Sequence, residues 1–276
     1  MSSLSDRLHI RPRPKRGLSR RNRSLLLSGA TVLFLFALWL IVTEMGLANP
    51  LFLPSPLAVA QAFVMVVTEG YQGHTLLEHV ATSLYRILVS FGIACVVGIP
   101  LGILMGVSET ANALLRPLIE FYRPLPPLGL YTLLVMWLGI GESSKFALLF
   151  LAALPGLIIA TIQAVRNIDP VYVRAARSLG ASTRVIILSV YLPAAGPTIL
   201  AGMRISLGFT YTVLVAAEIV AASAGIGWMI WDAAKFLLSD IVIMGLIVLG
   251  LTGIALDLVM QALGRLLMPW TRADNQ

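Results

Sequence analysis

The sequence predicts an all-α integral membrane protein with six transmembrane helices and both termini in the cytoplasm. Three observations predict it. Only 12% of the 276 residues are charged and 58% are hydrophobic, where a soluble domain carries about 25% charge. Apolar runs recur at the ~20-residue length that crosses a bilayer. The basic residues between those runs gather on one side of the membrane, as the positive-inside rule requires of a cytoplasmic face.

The chain begins with a basic cytoplasmic tail, residues 1–23, which holds eight of the 20 basic residues. A net charge of +7 would suit a nucleic-acid binder. Placed against a long apolar run, however, these charges set membrane orientation, so lipid and not nucleic acid is the expected contact. The run that follows is uncharged from Ser24 to Thr43. It is too long for a signal peptide and lacks a small-residue cleavage site, which gives a first transmembrane helix over 24–46.

A periplasmic loop, 47–79, opens NPLFLPSP, where Pro50, Pro54 and Pro56 stop the helix. Within it, Leu57–Val67 has apolar residues at helical spacing and suits the membrane surface. The transmembrane core spans 80–264. Its apolar runs are Ile87–Ser108, Pro124–Gly141 (extended backwards by Ile119–Tyr122), Phe146–Arg166, Pro197–Val220 and Ile241–Gly264. Residues 265–276 form a second cytoplasmic tail. On this plan Arg116, Arg123, Arg166, Arg174, Arg177, Arg184, Arg265 and Arg272 join the N-terminal tail inside, while only Arg86, Lys145 and Lys235 fall outside.

In the second run Gly98, Gly102 and Gly106 form two overlapping GxxxG patterns. Small residues at that spacing let helices approach closely in lipid, either within one chain or at a dimer seam. Cys95, the one cysteine, allows no intrachain disulfide. His74 and His79 sit five apart in a loop, a poor metal pattern, and no metal is expected.

The cytoplasmic loop 166–196 carries RAARSLGASTRVIILSVYLPAA from Arg174 to Ala195. Asp169-Pro170 is a helix start, with Asp capping free amides and Pro suited to the first turn. Gly180 stops that helix by taking a left-handed conformation. Ser182 then caps a second short helix from Thr183 to Tyr191, ended by Leu192-Pro193. Two short helices meeting at a bend either rest on anionic headgroups or fit a partner's groove. The segment has no nucleophile with a base and no carboxylate–histidine pair, so it catalyses nothing.

This segment resembles the EAA signature of bacterial ATP-binding cassette importer permeases, E-A-A-x3-G-x9-I-x-L-P. Ala175, Ala176, Gly180, Leu192 and Pro193 match; Arg174 stands at the glutamate position and Val190 at the isoleucine position. The stretches SPLAVAQAF, IEFYRPLPPLGLYTLLVMWLGIGESSKFALL and LAGMRISLGFTYTVLVAAEIVAA are similar to the nitrate, sulfonate and taurine branch of that family. The resemblance implies a type I importer permease fold in the bacterial inner (plasma) membrane. It also implies an ATPase-coupling role for Arg174, Ala175, Ala176, Gly180, Leu192 and Pro193. The implied partners are a dimer of cytoplasmic ATPase subunits and a periplasmic solute-binding protein. The implied substrate is taurine or another alkanesulfonate, with nitrate, bicarbonate or a thiamine precursor as alternatives. One six-span chain with one such segment suits two ATPases only as a homodimer. The chain has no GxxxxGK[ST] phosphate loop, so it is expected to be a non-catalytic subunit without a cofactor, ATP being bound by its partner.

Arg204 and Glu218 lie inside the fifth run, fourteen residues apart on nearly one helix face. Charges inside a span either bond to neighbouring helices or line a polar path, and both roles are open for each. Glu120, four residues after Arg116 and three before Arg123, suits local pairing. A secondary transporter built from inverted repeats is disfavoured because the two halves show no likeness. An intramembrane protease lacks its Ser/His or carboxylate pair, and a passive scaffold would leave Arg204 and Glu218 without purpose.

Overall fold

The computed structural model describes the backbone of residues 20–270 and the side chains of 27–270, that of Ala221 excepted. Most of the basic tail, residues 1–19, and the end of the second tail, 271–276, lie outside it. The chain divides into two units, residues 1–56 and 57–276. In the first, α1 spans Arg20–Glu44; from Leu27 to Val42 it is apolar on every side, and Val32, Leu33, Phe34 and Leu35 are all exposed. A helix without a polar face is suited to lipid. Its end is fixed by the Trp39 indole, which donates to the Pro54 carbonyl at 3.1 Å.

Among the described residues, the second unit is built from helices. Following α2 (Pro56–Thr68), α3 (Leu76–Val107) starts on a capping box formed by Thr75 and Glu78. It therefore begins eleven residues before the apolar count at Ile87, because Glu78 and Arg86 had interrupted that count. Then come α4 (Glu109–Tyr122), α5 (Pro127–Leu138), α6 (Glu142–Arg166), α7 (Pro170–Ser178), α8 (Thr183–Ile186), α9 (Leu192–Ala221), α10 (Ile226–Lys235) and α11 (Ser239–Leu267).

At the centre α6 packs against both α3 and α9. The glycine stripe explains how closely. A β-carbon on Gly102 would lie 2.6 Å from Thr161 Cβ, and one on Gly106 2.7 Å from Val165 Cβ. Only a bare backbone allows that approach, so the GxxxG face is occupied within the chain, by α6. Ile87, Phe91 and Ala94 of α3 meet Leu148, Leu149, Ala152 and Leu157 of α6 and Leu207 and Leu214 of α9 in one core, joined by Tyr131 and Leu134 of α5. The outward residues of α11, including Leu251, Ile254, Leu258 and Val259, stay exposed, as suits a lipid-facing surface.

Among the described residues, five helices are long and apolar enough to cross a membrane: 27–44, 76–107, 142–166, 183–220 and 239–267. The expected third span, 124–141, is broken. Pro124, Pro126 and Pro127 withhold amides and restrict their neighbours, so α4 ends at Tyr122. The twelve residues of α5 rise only ~18 Å against the ~30 Å of hydrocarbon. A second difference concerns Leu192-Pro193, which does not end a helix. From α8 the chain passes through a five-residue π-helical turn, Ile187–Tyr191, directly into α9. Pro193 falls in the first turn of α9, where the wider turn before it accommodates the missing amide and the ring.

Candidate functional site

Two groups of polar residues stand out, one at each end of α9. The first is the loop segment. Asp169 Oδ1 accepts from the Val171 amide at 2.8 Å, starting α7, and Gly180 takes φ +78° to end it. Ser182 Oγ then accepts from the Val185 amide at 3.4 Å. Each cap sits where the local sequence placed it. Val173 and Ile186 are the buried anchors of the two helices. Arg174, Ala175, Gly180 and Leu192 are exposed, and Ala176 and Pro193 are half-buried. Leu179 beside the bend is 88% exposed. The segment is thus a projecting surface, joined through the π-helical turn to the 30-residue α9.

The second group lies at the opposite end of α9, and sequence reasoning did not assemble it. Arg86, placed among the outer charges from the sequence, is only 2% exposed. Its guanidinium holds Glu142 through two bonds of 2.8 and 2.7 Å, Glu218 Oε1 at 2.8 Å and the Ala224 carbonyl at 2.7 Å. Glu218 is fully buried and fully bonded. Its Oε1 also accepts from Ser83 Oγ at 2.8 Å, and its Oε2 from the Gly227 amide at 2.8 Å. Lys145 Nζ completes the set on Glu142 at 2.8 Å. Two positive and two negative groups from α3, α6 and α9 so form a neutral network. A charge in a span is tolerated when it is paired in this way.

Local structure fits around that network. His79, Ser83 and Arg86 recur at i, i+4 and i+7 on one face of α3. Ser83 Oγ accepts from the Ile226 amide at 2.8 Å and His79 Nδ1 from the Gly225 amide at 3.1 Å. Because Nδ1 accepts, Nε2 carries the proton and donates to the Tyr71 carbonyl at 3.3 Å. His79 is therefore a neutral, fully bonded ring, stacked on Trp228. Any side chain on Gly225, at φ +132°, would run into the Glu218 carboxylate. Outside the spans, Tyr71 donates to Asp232 at 3.1 Å. Burial, then the Asp232 carboxylate, pushes its phenol up to about 12.

Arg204 and Glu218 do not meet. Arg204 reaches Asp257 of α11 instead, through two bonds of 2.7 and 2.9 Å, and Gln261 supports Asp257 at 2.9 Å. These side chains are 38% and 45% exposed, and they line a cavity of about 240 Å³ with Tyr211 and Gly253. Arg116 pairs with Glu120 at 2.7 Å, as their spacing suggests.

A bundle of apolar helices with its charges paired inside, and with a projecting two-helix bend, defines a multi-pass membrane component with no catalytic centre among its described residues. Comparison with known proteins identifies it further. Residues 98–272 match the family model of the binding-protein-dependent transport system inner membrane component. Over 250 residues, 90% of this chain and 91% of the relative, it is 41% identical to the taurine transport system permease protein TauC of Escherichia coli (strain K12). It is 36% identical to the putative aliphatic sulfonates transport permease protein SsuC of the same organism, over 86% of this chain and 89% of that one. An inward-facing structure of the MetNI methionine ABC transporter has the same fold, with TM-score 0.61 at 20% identity over 70% of this chain and 94% of that chain. The chain belongs to the permease family of binding-protein-dependent ABC importers. It is the non-catalytic inner-membrane subunit of such a system, ATP is handled by a separate subunit, and an ATPase and a solute-binding protein are its partners.

Proposed function

We propose that two copies of this chain form the translocation path of an importer for taurine or another alkanesulfonate. In this reading six membrane crossings leave both tails in the cytoplasm, with α4 and α5 together making the third. A periplasmic binding protein delivers the solute. Two cytoplasmic ATPases receive Arg174–Pro193, so Arg174, Ala175, Ala176, Gly180, Leu192 and Pro193 carry ATPase closure to the membrane. The supporting observation is the exposed bend at Gly180, continuous through the π-helical turn with α9. A push on the bend moves a rod and is not absorbed by a hinge.

Of the two candidate path residues, Arg204 is the better placed. Its guanidinium faces a cavity and is held by one carboxylate, and a guanidinium suits a sulfonate through paired donors. Glu218 is enclosed, and its contribution is to hold the helices around the path. The substrate follows the 41% identity to the taurine permease; nitrate, bicarbonate and a thiamine precursor are the competing solutes.

A pull-down of the tagged chain from its native membrane tests this reading. Recovery of an ATP-binding cassette subunit, lost in Gly180→Val, supports it, since a β-branched residue resists positive φ. Recovery of the chain without an ATPase, in detergent that preserves such complexes, would refute it. The binding protein of the same system should then bind taurine in preference to nitrate, bicarbonate and a thiamine precursor.

A further inference from the structure

The loop segment is electrically one-sided. Arg174, Arg177 and Arg184 fall within eleven residues, and the sequence has no Asp or Glu from Pro170 to Ala217. All three arginines are exposed, and among the described residues none has an ion pair. Arg174 and Arg177 line, with Arg166, a cleft of about 420 Å³ whose one acidic lining residue is Glu109. Apolar groups stand out beside the charges: Leu179, 88% exposed, and Tyr172, 65% exposed.

We propose that the ATPase groove receiving this segment is acidic, presenting carboxylates to Arg174, Arg177 and Arg184 around an apolar floor for Tyr172 and Leu179. The proposal rests on the docking reading above and adds the chemistry of the partner. Arginines that lose water at an interface need counter-charges there, because an unpaired buried charge opposes association. This chain supplies none between Pro170 and Ala217, so the partner supplies them.

Length argues for a protein partner over lipid headgroups. The continuous helical stretch 183–220 has 38 residues, about 57 Å at 1.5 Å per residue, against ~40–45 Å for a bilayer with both headgroup layers. The bend at Gly180 is therefore carried past the headgroups. Leu179 and Tyr172, exposed on the face of α7 away from Arg174 and Arg177, are carried out with the bend, beyond the acyl layer that would cover the apolar residues of a headgroup-bound segment.

The test uses the full chain in phosphatidylcholine nanodiscs and the ATPase subunit recovered in the pull-down, with their affinity followed at rising salt. Arg174→Glu and Arg177→Glu should each weaken binding at least about tenfold, while Arg174→Lys should stay within about threefold. Affinity of the unsubstituted pair should fall as salt screens the charges. Replacing a groove carboxylate of the ATPase by Arg should restore binding to the Arg174→Glu chain. Unchanged affinity in both Glu variants, with binding still lost in Gly180→Val, would overturn the acidic groove and leave docking intact. Unchanged affinity in all three variants would remove both. Binding seen only after phosphatidylglycerol is added would assign the arginines to lipid and overturn the proposal.

Discussion

Arg86→Met is the most informative single change in this structure. It keeps most of the side-chain volume and removes four hydrogen bonds: two to Glu142, one to Glu218 and one to the Ala224 carbonyl. Glu142 is half exposed and keeps Lys145, so its loss is small. Glu218 is fully buried and keeps only Ser83 and the Gly227 amide. Stranding one partner of a buried pair costs about 3–5 kcal/mol. At 2–4 °C per kcal/mol for a chain of this size, Tm should fall by about 6–20 °C. Neutralising the stranded carboxylate should recover much of that, because in Glu218→Gln the amide oxygen can accept from the Gly227 amide while the NH2 group donates to Ser83 Oγ. The double variant Arg86→Met/Glu218→Gln should therefore lose less than half of what Arg86→Met loses. Thermal unfolding of the detergent-purified chain, followed by size-exclusion with fluorescence detection, measures both variants and the single Glu218→Gln change in one experiment. A Tm change under about 2 °C for Arg86→Met, or additive losses in the double variant, would show that the four charges do not act as one unit.

Other consequences are simpler to read. Gly102→Ala should cost about 1–3 kcal/mol by overpacking, since its β-carbon would also lie 3.0 Å from the Ile158 carbonyl; the same thermal assay measures it. Arg204→Ala should leave Tm nearly unchanged, because Arg204 and Asp257 are both well exposed and such pairs add little stability, yet it should lower solute uptake in vesicles; full uptake would remove Arg204 from the path. Tyr71 gives a pH prediction. Its folded pKa of about 12 lies above the ordinary value of 10.0, so its stabilisation is complete below pH 10 and is lost as pH rises through 12. Between those limits Tm should decline more steeply for the unsubstituted chain than for Tyr71→Phe.

Local chemistry was legible in the sequence, and long-range pairing was not. The loop segment reads correctly because its caps act over two or three residues: Asp169 on Val171, Ser182 on Val185, and Gly180 on its own φ. The end assigned to Leu192-Pro193 fails because a π-helical turn can absorb a proline, and nothing in composition announces such a turn. The break before α5 was signalled by YRPLPP, and its effect on length follows once each proline is counted as a lost amide. Arg86 reads as a boundary charge because hydropathy treats a charge as the border of a span, whereas here it is the span's inner tie. One signal was available: His79, Ser83 and Arg86 share a helical face, which a solvent-exposed loop does not require. Glu218 was weighed against Arg204, its neighbour in sequence, while its partner lies 132 residues away. No spacing rule reaches that far.

That separation bears on how the protein is made. Arg86 leaves the ribosome first, Glu142 follows 56 residues later and Glu218 comes 132 residues after Arg86. At ~5–20 residues per second, the last interval is about 7–26 s. For that time α3 exists with a guanidinium that has no carboxylate from α9 to hold it. The early helix must keep this group at the aqueous boundary or inside the insertion machinery until α9 arrives. Membrane entry of α3 and its final packing are thus separate events in biogenesis, and a chain stopped before Glu218 would present an unsealed helix to the cell's quality-control proteases.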